Sequence, residues 1–520
     1  MKNIGLDFGT TNSIIAYYDE NTDSIMNFEL ASMEKYIPSY FAVSKEDGDI
    51  SIGDDAKGKT GNTEYDVYSK FKMLLQETDS DILEEFDWPE NSKETPVEIA
   101  EKYISYLIDE YCKTQKFSKS DIKSFTVTVP EIWLKDGNHK GRETLLEICK
   151  KNIGQNVKLV SEPVAASAYY SYLYHKNYNT HFTGHLLVCD FGGGTLDISL
   201  SKLSKAEVKI LESSGAGKLT HESLGSAGVA YDDAVVQNIF EENNYVHSSS
   251  EEYYEAIIDF EYKKISQKTT LDKNIPRYLK EQSRNRKLFT VSGNPCKPSN
   301  LCKVFDDKIK NIIIEKLDEI SKTFSSHNID VNNPDKFRVL LVGGFCNFYL
   351  VEKTIMDFFS SVASTDFRFD STFIDSDKNL AIAKGAAILS AGLISLDTVV
   401  PLSIGITTYD ENKNKVDFIS LNKGISLKDS KIANYKEEYI GLPNRDAFKR
   451  SMKLFIDSEN GHIPFELSPL SKYLPNPVWG NKWQIAFSMD ENRCYYIHIK
   501  DKNEGKENKI NLGDLMEHVK

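Results

Sequence analysis

The sequence predicts an α/β protein of two similar lobes followed by a small all-β sandwich. Three observations carry that prediction. A short apolar strand ending in Asp-Phe-Gly occurs twice, at Ile4 to Gly9 and at Leu186 to Gly192. Around those copies, apolar runs of strand length alternate with amphipathic stretches of helix length, the pattern of sheets covered by helices. Beyond Pro401 the chain changes to short alternating segments separated by Asn, Asp, Gly and Pro, as sandwich strands do.

The second copy is the more explicit. After Asp190 and Phe191 come Gly192, Gly193 and Gly194, and then Thr195 and Asp197 open a segment alternating with Leu196, Ile198 and Leu200. This reads as strand, tight turn, strand. Glycines take unusual backbone angles and leave N–H groups uncovered, which suits a polyphosphate. Two carboxylates beside an anion call for a cation between them, and a hydrated Mg²⁺ needs few protein ligands. The first copy, Asp7-Phe8-Gly9-Thr10-Thr11-Asn12, repeats the aspartate and the hydroxyls. Duplicated turns suggest two halves gripping one nucleotide. Neither matches a Walker loop or a dinucleotide fingerprint.

The remaining elements follow in order. The polar, turn-rich stretch from Glu34 to Gly61 reads as a small α/β insert. Tyr68 to Gln76 places Lys72 in an apolar helical patch. Such a lysine is ordinarily solvated, but phosphoryl transfer also wants a cation at the γ-phosphate. Val97 to Lys113 carries the stripe of an amphipathic helix, and Phe125 to Pro130 is a buried strand. Glu162-Pro163 opens a helix of small residues, where the dipole favours a carboxylate. Leu224 to Gly228 reads as a flexible turn. Glu261 and Lys264 fall on one face of a lysine-rich helical stretch, the spacing of an ordinary ion pair. Phe305 to Ile320 marks a sheet-covering helix. Arg338 to Gly344 is an apolar strand running into a glycine pair, where a ligand's ring and ribose can be reached. Ala381 to Leu393 is a small-residue helix that must pack closely. Leu393 to Asp397 is an apolar linker, a switch element or a buried connector. The predicted boundaries are 1–392 for the α/β part, 393–400 for the linker and 401–520 for the sandwich.

A length of 520 residues predicts about three or four domains. The net charge of −15 argues against a nucleic-acid partner. Seven cysteines without Cys-x-x-Cys spacing read as reduced thiols of a cytoplasmic protein. No apolar run approaches the roughly 20 residues of a membrane helix, so no membrane partner is expected.

Together these residues resemble the seventy-kilodalton heat-shock chaperone family, whose ATPase domain has the actin-like fold with duplicated ribonuclease H-like halves. The resemblance rests on Leu6 to Ser13, Asp190 to Ser199, Glu162 to Ala166, Val342 to Gly344, the linker into Pro401 to Gly405, and Trp483 to Leu512. It implies a chaperone-like ATPase using ATP/ADP and Mg²⁺. Asp7 and Asp190 would hold the metal through water. Gly9, Thr10, Thr11, Asn12, Gly192, Gly193, Gly194 and Thr195 would bind phosphate, and Lys72 would stabilise the γ-phosphate. Glu162 and Asp197 would order the attacking water and metal shell. Gly228, Glu261, Lys264, Gly343, Gly344, Asn347 and Asn379 would line the nucleoside. It further implies a sandwich groove, with Ile425, Leu427, Ile432 and Leu454, for unfolded peptide or a dedicated client. A J-domain co-chaperone or a nucleotide-exchange factor would be the further partners.

Departures are specific. Phe345, Cys346, Asn347, Phe348 and Tyr349 stand where the family has two variable residues and Arg-Ile-Pro, and Asn379 stands where an aspartate is usual. The helical lid that normally covers the groove has no counterpart before Lys520. A nucleotide-gated interaction module with little hydrolysis is the alternative, and a filament-forming actin relative is a third.

Overall fold

A computed structural model gives the fold, describing all residues except 1, 30–34, 76, 87, 90–91, 135–138, 218–226, 364–366, 374–377, 398–399, 401, 411, 413, 424, 427–429, 431–432, 434, 436–438, 443, 459–460, 491–493, 514 and 516–520. The chain divides into two compact units, one of residues 1–132 and 140–395, the other of 133–139 and 396–520. Two units, rather than three or four, arise because one helix of small residues clamps both α/β halves together.

The two halves repeat one topology. In the first, β1 (Lys2–Phe8) and β2 (Asn12–Asp19) form the predicted hairpin, β3 (Ser24–Asn27) extends it, and β4 (Ile122–Val129) and β5 (Val157–Ser161) add in parallel beyond β1. In the second, β6 (Gly184–Phe191) and β7 (Leu196–Ser204) form the other hairpin, β8 (Glu207–Ala216) extends it, and β9 (Phe337–Val342) lies parallel to β6. The sheet ends at Ser395. There the Ser395 N–H donates to the Ala206 carbonyl at 2.9 Å.

Helices cover these sheets as the apolar stripes require. Helix α1 (Pro96–Gln115) begins with a Thr95 capping box and buries Ile99, Tyr103, Ile104, Leu107, Ile108 and Tyr111. Helix α2 (Glu162–Tyr178) starts on Glu162-Pro163 as predicted. The expected helix over Phe305 to Ile320 is instead two helices, Pro298–Lys308 and Lys310–Ser321, breaking at Ile309. Helix α3 (Ala381–Ala391) stops at Gly392, whose φ of +72° favours glycine. The small residues of α3 have a direct use: a Cβ on Gly385 would collide with the Ala165 carbonyl of α2, and one on Gly5 with the backbone of Ala383 and Ala387.

The second unit has two four-stranded antiparallel sheets around one core. One sheet runs Lys415–Leu421, Ser403–Tyr409, Met452–Ser458, Gly461–Leu467, and the other Ile440–Gly441, Lys482–Met489, Tyr495–Asp501, Glu507–Gly513. Every strand read from the alternation is present. Leu454 is fully buried in the core, so it fills the sandwich instead of lining a surface, while Ile425 packs part-buried against that core. Leu427 and Ile432 lie outside the described residues.

Ser488, His498 and Glu507 form a hydrogen-bonded row across three strands, 2.7 Å from Ser488 Oγ to His498 Nε2 and 2.8 Å from His498 Nδ1 to Glu507 Oε1. The order matches a nucleophilic triad, but Ser488 is buried in mid-strand, so no substrate reaches its hydroxyl. The row ties strands together.

Candidate functional site

The two glycine turns meet. A Cβ on Gly193 would lie 2.6 Å from Thr11 Cγ2, and one on Gly194 would lie 2.6 Å from Thr10 Oγ1 and 3.0 Å from Met73 Sδ. Gly192 and Gly193 are also braced from the other side, their carbonyls accepting from the N–H groups of Gly228 and Val229. Gly343, at φ +84°, brings β9's exit against the second turn, since a Cβ there would sit 2.6 Å from Asp190 Oδ1. Only glycine permits these approaches.

Beneath the turns lies a buried group of acids. Asp7, Glu162, Asp190 and Asp197 are all buried, and so is Lys72, whose Nζ lies 2.6 Å from Glu162 Oε1. Each of the four acids comes from a strand end or a helix start. Lys72 does not come from the expected helix: residues 71–75 are turns after the strand Tyr65–Tyr68, and Lys70 has φ +58°. Pairing of Tyr65–Tyr68 with Phe41–Ser44 consumes the backbone needed for helix, and the left-handed residue turns the chain inward.

Sequence reasoning missed Thr128 and Glu131. Thr128 Oγ1 donates to Asp7 Oδ1 at 3.0 Å. Glu131, fully buried, gives its N–H to Asp197 Oδ1 at 2.9 Å and accepts from Ser213 Oγ at 2.5 Å. The available signal was a carboxylate directly after Pro130, at the carboxyl end of a buried strand.

So many buried acids resist ionisation together. Burial pushes the Asp7 carboxyl up to about 7, helped by Glu162 and opposed by Lys72 and Thr128. Asp190 and Asp197 are held well above the usual carboxylate range by burial first and by Glu162 next, with Asp197 and Asp7 adding at Asp190. Among the described residues Asp190 Oδ2 and Asp197 Oδ2 find no hydrogen-bond partner. An orphaned oxygen on a buried acid suits a hydrated cation, and the glycine cradle suits phosphate. Among the described residues no three His, Cys, Asp or Glu side chains are grouped to hold an ion directly.

This electrostatics has a stability consequence. Between the ordinary carboxyl value of 3.8 and about 7, folded Asp7 keeps a proton that the unfolded chain has released. Its contribution is therefore full below 3.8 and is lost as pH rises through 7. The first unit, free of nucleotide, is expected to melt lower at about pH 8 than at about pH 6, with Asp7→Asn flattening the difference. Melting curves across that range decide it; a slope unchanged in Asp7→Asn rejects the assignment.

The expected nucleoside residues lie beside the second turn. Glu261 and Lys264 do not pair with each other as their spacing suggested. Glu261 pairs with Lys57 at 2.9 Å, and Lys264 with Asp232 at 2.5 and 2.6 Å, because buried Asp232 faces Lys264 from the helix beginning at Gly228. Burial raises Asp232 to about 6 despite that lysine. Lys264 also stands 5.6 Å over the Phe345 ring. Asn347 Nδ2 donates to Asn379 Oδ1 at 3.0 Å. The turn expected at Leu224 to Gly228 lies outside the described residues up to 226, and Gly228 opens a helix.

The family model described as Hsp70 protein matches residues 3–517, nearly the entire chain. The chain belongs to the Hsp70 family. Among similar Hsp70 relatives, the chaperone protein dnaK of Guillardia theta is 25% identical, over 98% of this chain and 79% of its own length. The chaperone protein DnaK of Buchnera aphidicola subsp. Schizaphis graminum is 23% identical, over 98% of this chain and 78% of its own. The Hsp70 assignment agrees with the two-lobed α/β part and the β-sandwich, and it covers both hairpins. No helix among the described residues is long and apolar enough to cross a membrane.

Proposed function

We propose that this Hsp70-family chain binds and hydrolyses ATP with Mg²⁺ and couples the nucleotide state to peptide or client binding by its β-sandwich. The supporting observation is the meeting of two Asp-led glycine turns over buried acids and one buried Glu162–Lys72 pair. Asp7 and Asp190 would hold Mg²⁺ through water, and the metal would neutralise charge on the phosphates. Gly9, Asn12, Gly192, Gly193 and Gly194 would offer backbone or side-chain donors to phosphate, as would Thr10, Thr11 and Thr195. Lys72 would face the γ-phosphate. Glu162 and Asp197 would orient the attacking water, with Thr195 and the Glu131 N–H holding Asp197 in place. A triphosphate binding one conformer better than another would shift the sandwich, and peptide would reciprocally change nucleotide affinity.

The site is proposed to act in the cytoplasm, with unfolded peptide or a dedicated client as partner and with J-domain or exchange-factor help. A magnesium-dependent ATPase assay with and without unfolded polypeptide tests the coupling. Stimulation is expected, and absence of turnover in the unsubstituted protein rejects hydrolysis. The second reading, a nucleotide-gated module with little hydrolysis, is favoured by the neutral Asn347–Asn379 pair in the nucleoside loop. Calorimetry with single-turnover hydrolysis separates them, since tight binding without product supports the module.

The cradle also gives a graded prediction. Gly194→Val is expected to weaken ATP binding by at least about tenfold, because its side chain meets Thr10 and Met73 where phosphate would lie. Equal affinity in calorimetry would move the phosphate site elsewhere.

A further inference from the structure

The polar side chains expected at the nucleoside are each already engaged by a protein partner. Glu261 is held by Lys57, Lys264 by both oxygens of Asp232, and Asn347 by Asn379. Phe345, which follows the Gly343–Gly344 pair and approaches Gly228, is buried between Lys264 and the parallel ring of Phe348 at 5.9 Å. Charged groups committed to each other recognise nothing new without first giving up a buried partner.

The amide pair is different in kind. An asparagine carries both an acceptor and donors, and turning both amides over preserves the bond between them while reversing what they present outward. In the present orientation Asn347 leaves its oxygen and Asn379 its nitrogen for a ligand; reversed, the roles exchange. An Arg–Asp pair, with donors on one side and acceptors on the other, has no such freedom.

We propose that this site accepts ATP and GTP with comparable affinity, the Asn347–Asn379 pair presenting whichever donor and acceptor order the purine edge requires. The proposal rests on the reading that a nucleoside triphosphate binds across the two glycine turns. A pocket of fixed polarity that hydrogen-bonds its substrate rejects a mismatched analogue by about 10⁴–10⁵-fold, whereas a pair able to present either order leaves no group unpaired.

Calorimetric titration of the full chain with Mg·ATP and, separately, Mg·GTP tests this. Dissociation constants within about tenfold of each other are expected. An ATP preference above about 100-fold overturns the proposal and leaves the nucleotide-site reading standing; binding of neither overturns both. Asn379→Asp supplies the second arm, because a carboxylate accepts only and fixes the pair's polarity. It is expected to move the ATP/GTP ratio at least about fivefold from the unsubstituted value at nearly unchanged melting temperature. A ratio that does not move shows that the pair does not meet the base, and overturns the assignment.

Discussion

Lys72→Ala is expected to lower magnesium-dependent ATP turnover by about 10²–10³-fold, the scale of losing one preorganised charge at a reacting phosphate. Asp7, Glu162, Asp190 and Asp197 are buried together, and Lys72 opposes the upward shift at both Asp7 and Asp190. Removing it deprives Glu162 of its partner at 2.6 Å and drives the neighbouring carboxyls further toward their protonated forms. Breaking a buried pair also costs about 3–5 kcal/mol of stability, so a melting curve on the same sample must show the first unit folded at assay temperature. Lys72→Arg keeps the charge but not the compact ammonium, and should recover little activity in a buried space of this shape.

Asp190→Asn separates chemistry from folding. It keeps the shape and removes the charge beside Gly343, so it should retain the melting temperature or raise it while turnover loses its magnesium dependence. Unchanged turnover in both Lys72→Ala and Asp190→Asn would reject this site.

The hairpins, the Glu162-Pro163 helix start, the Gly343 turn and the sandwich strands were legible because each depends on local chemistry. Glycine marks positive φ or close approach, proline marks a helix start, and alternation marks a half-buried strand. Lys72 was legible as a residue and illegible as a conformation: its apolar neighbours look helical, but a three-stranded sheet claims the preceding segment. Glu261 and Lys264 show the same limit. Their i, i+3 spacing predicts a mutual pair worth only a few tenths of a kcal/mol. Tertiary partners, Lys57 and Asp232, lie more than 30 residues away in sequence and outbid it. Glu131 was passed over for a related reason: Pro130 marked its place at the strand end, but its importance comes from Asp197 and Ser213 on strands of the other half.

Gly385→Ala is expected to be the most damaging single-methyl change in the first unit, by about 4 kcal/mol or more. Adding methylenes to a packed core typically costs about 1–3 kcal/mol because side chains rotate to make room. Here nothing rotates. The new Cβ on α3 would meet the carbonyl oxygen, carbon and Cα of Ala165 on α2, all backbone. The two helices must separate, and β1 must follow, because Gly5 is itself packed against the backbone of Ala383 and Ala387 of α3. Asp7 lies two residues beyond Gly5 and Glu162 three before Ala165. Any Gly385→Ala protein that still folds should therefore bind ATP weakly as well. Gly392→Ala is the control: its Cβ enters open space, so only the left-handed backbone is strained, at about 1 kcal/mol. Urea midpoints for the first unit's transition, measured in parallel, should place Gly385→Ala far below Gly392→Ala. Equal midpoints would mean that α2 and α3 are not in backbone contact, and that the clamp joining the two halves is formed elsewhere.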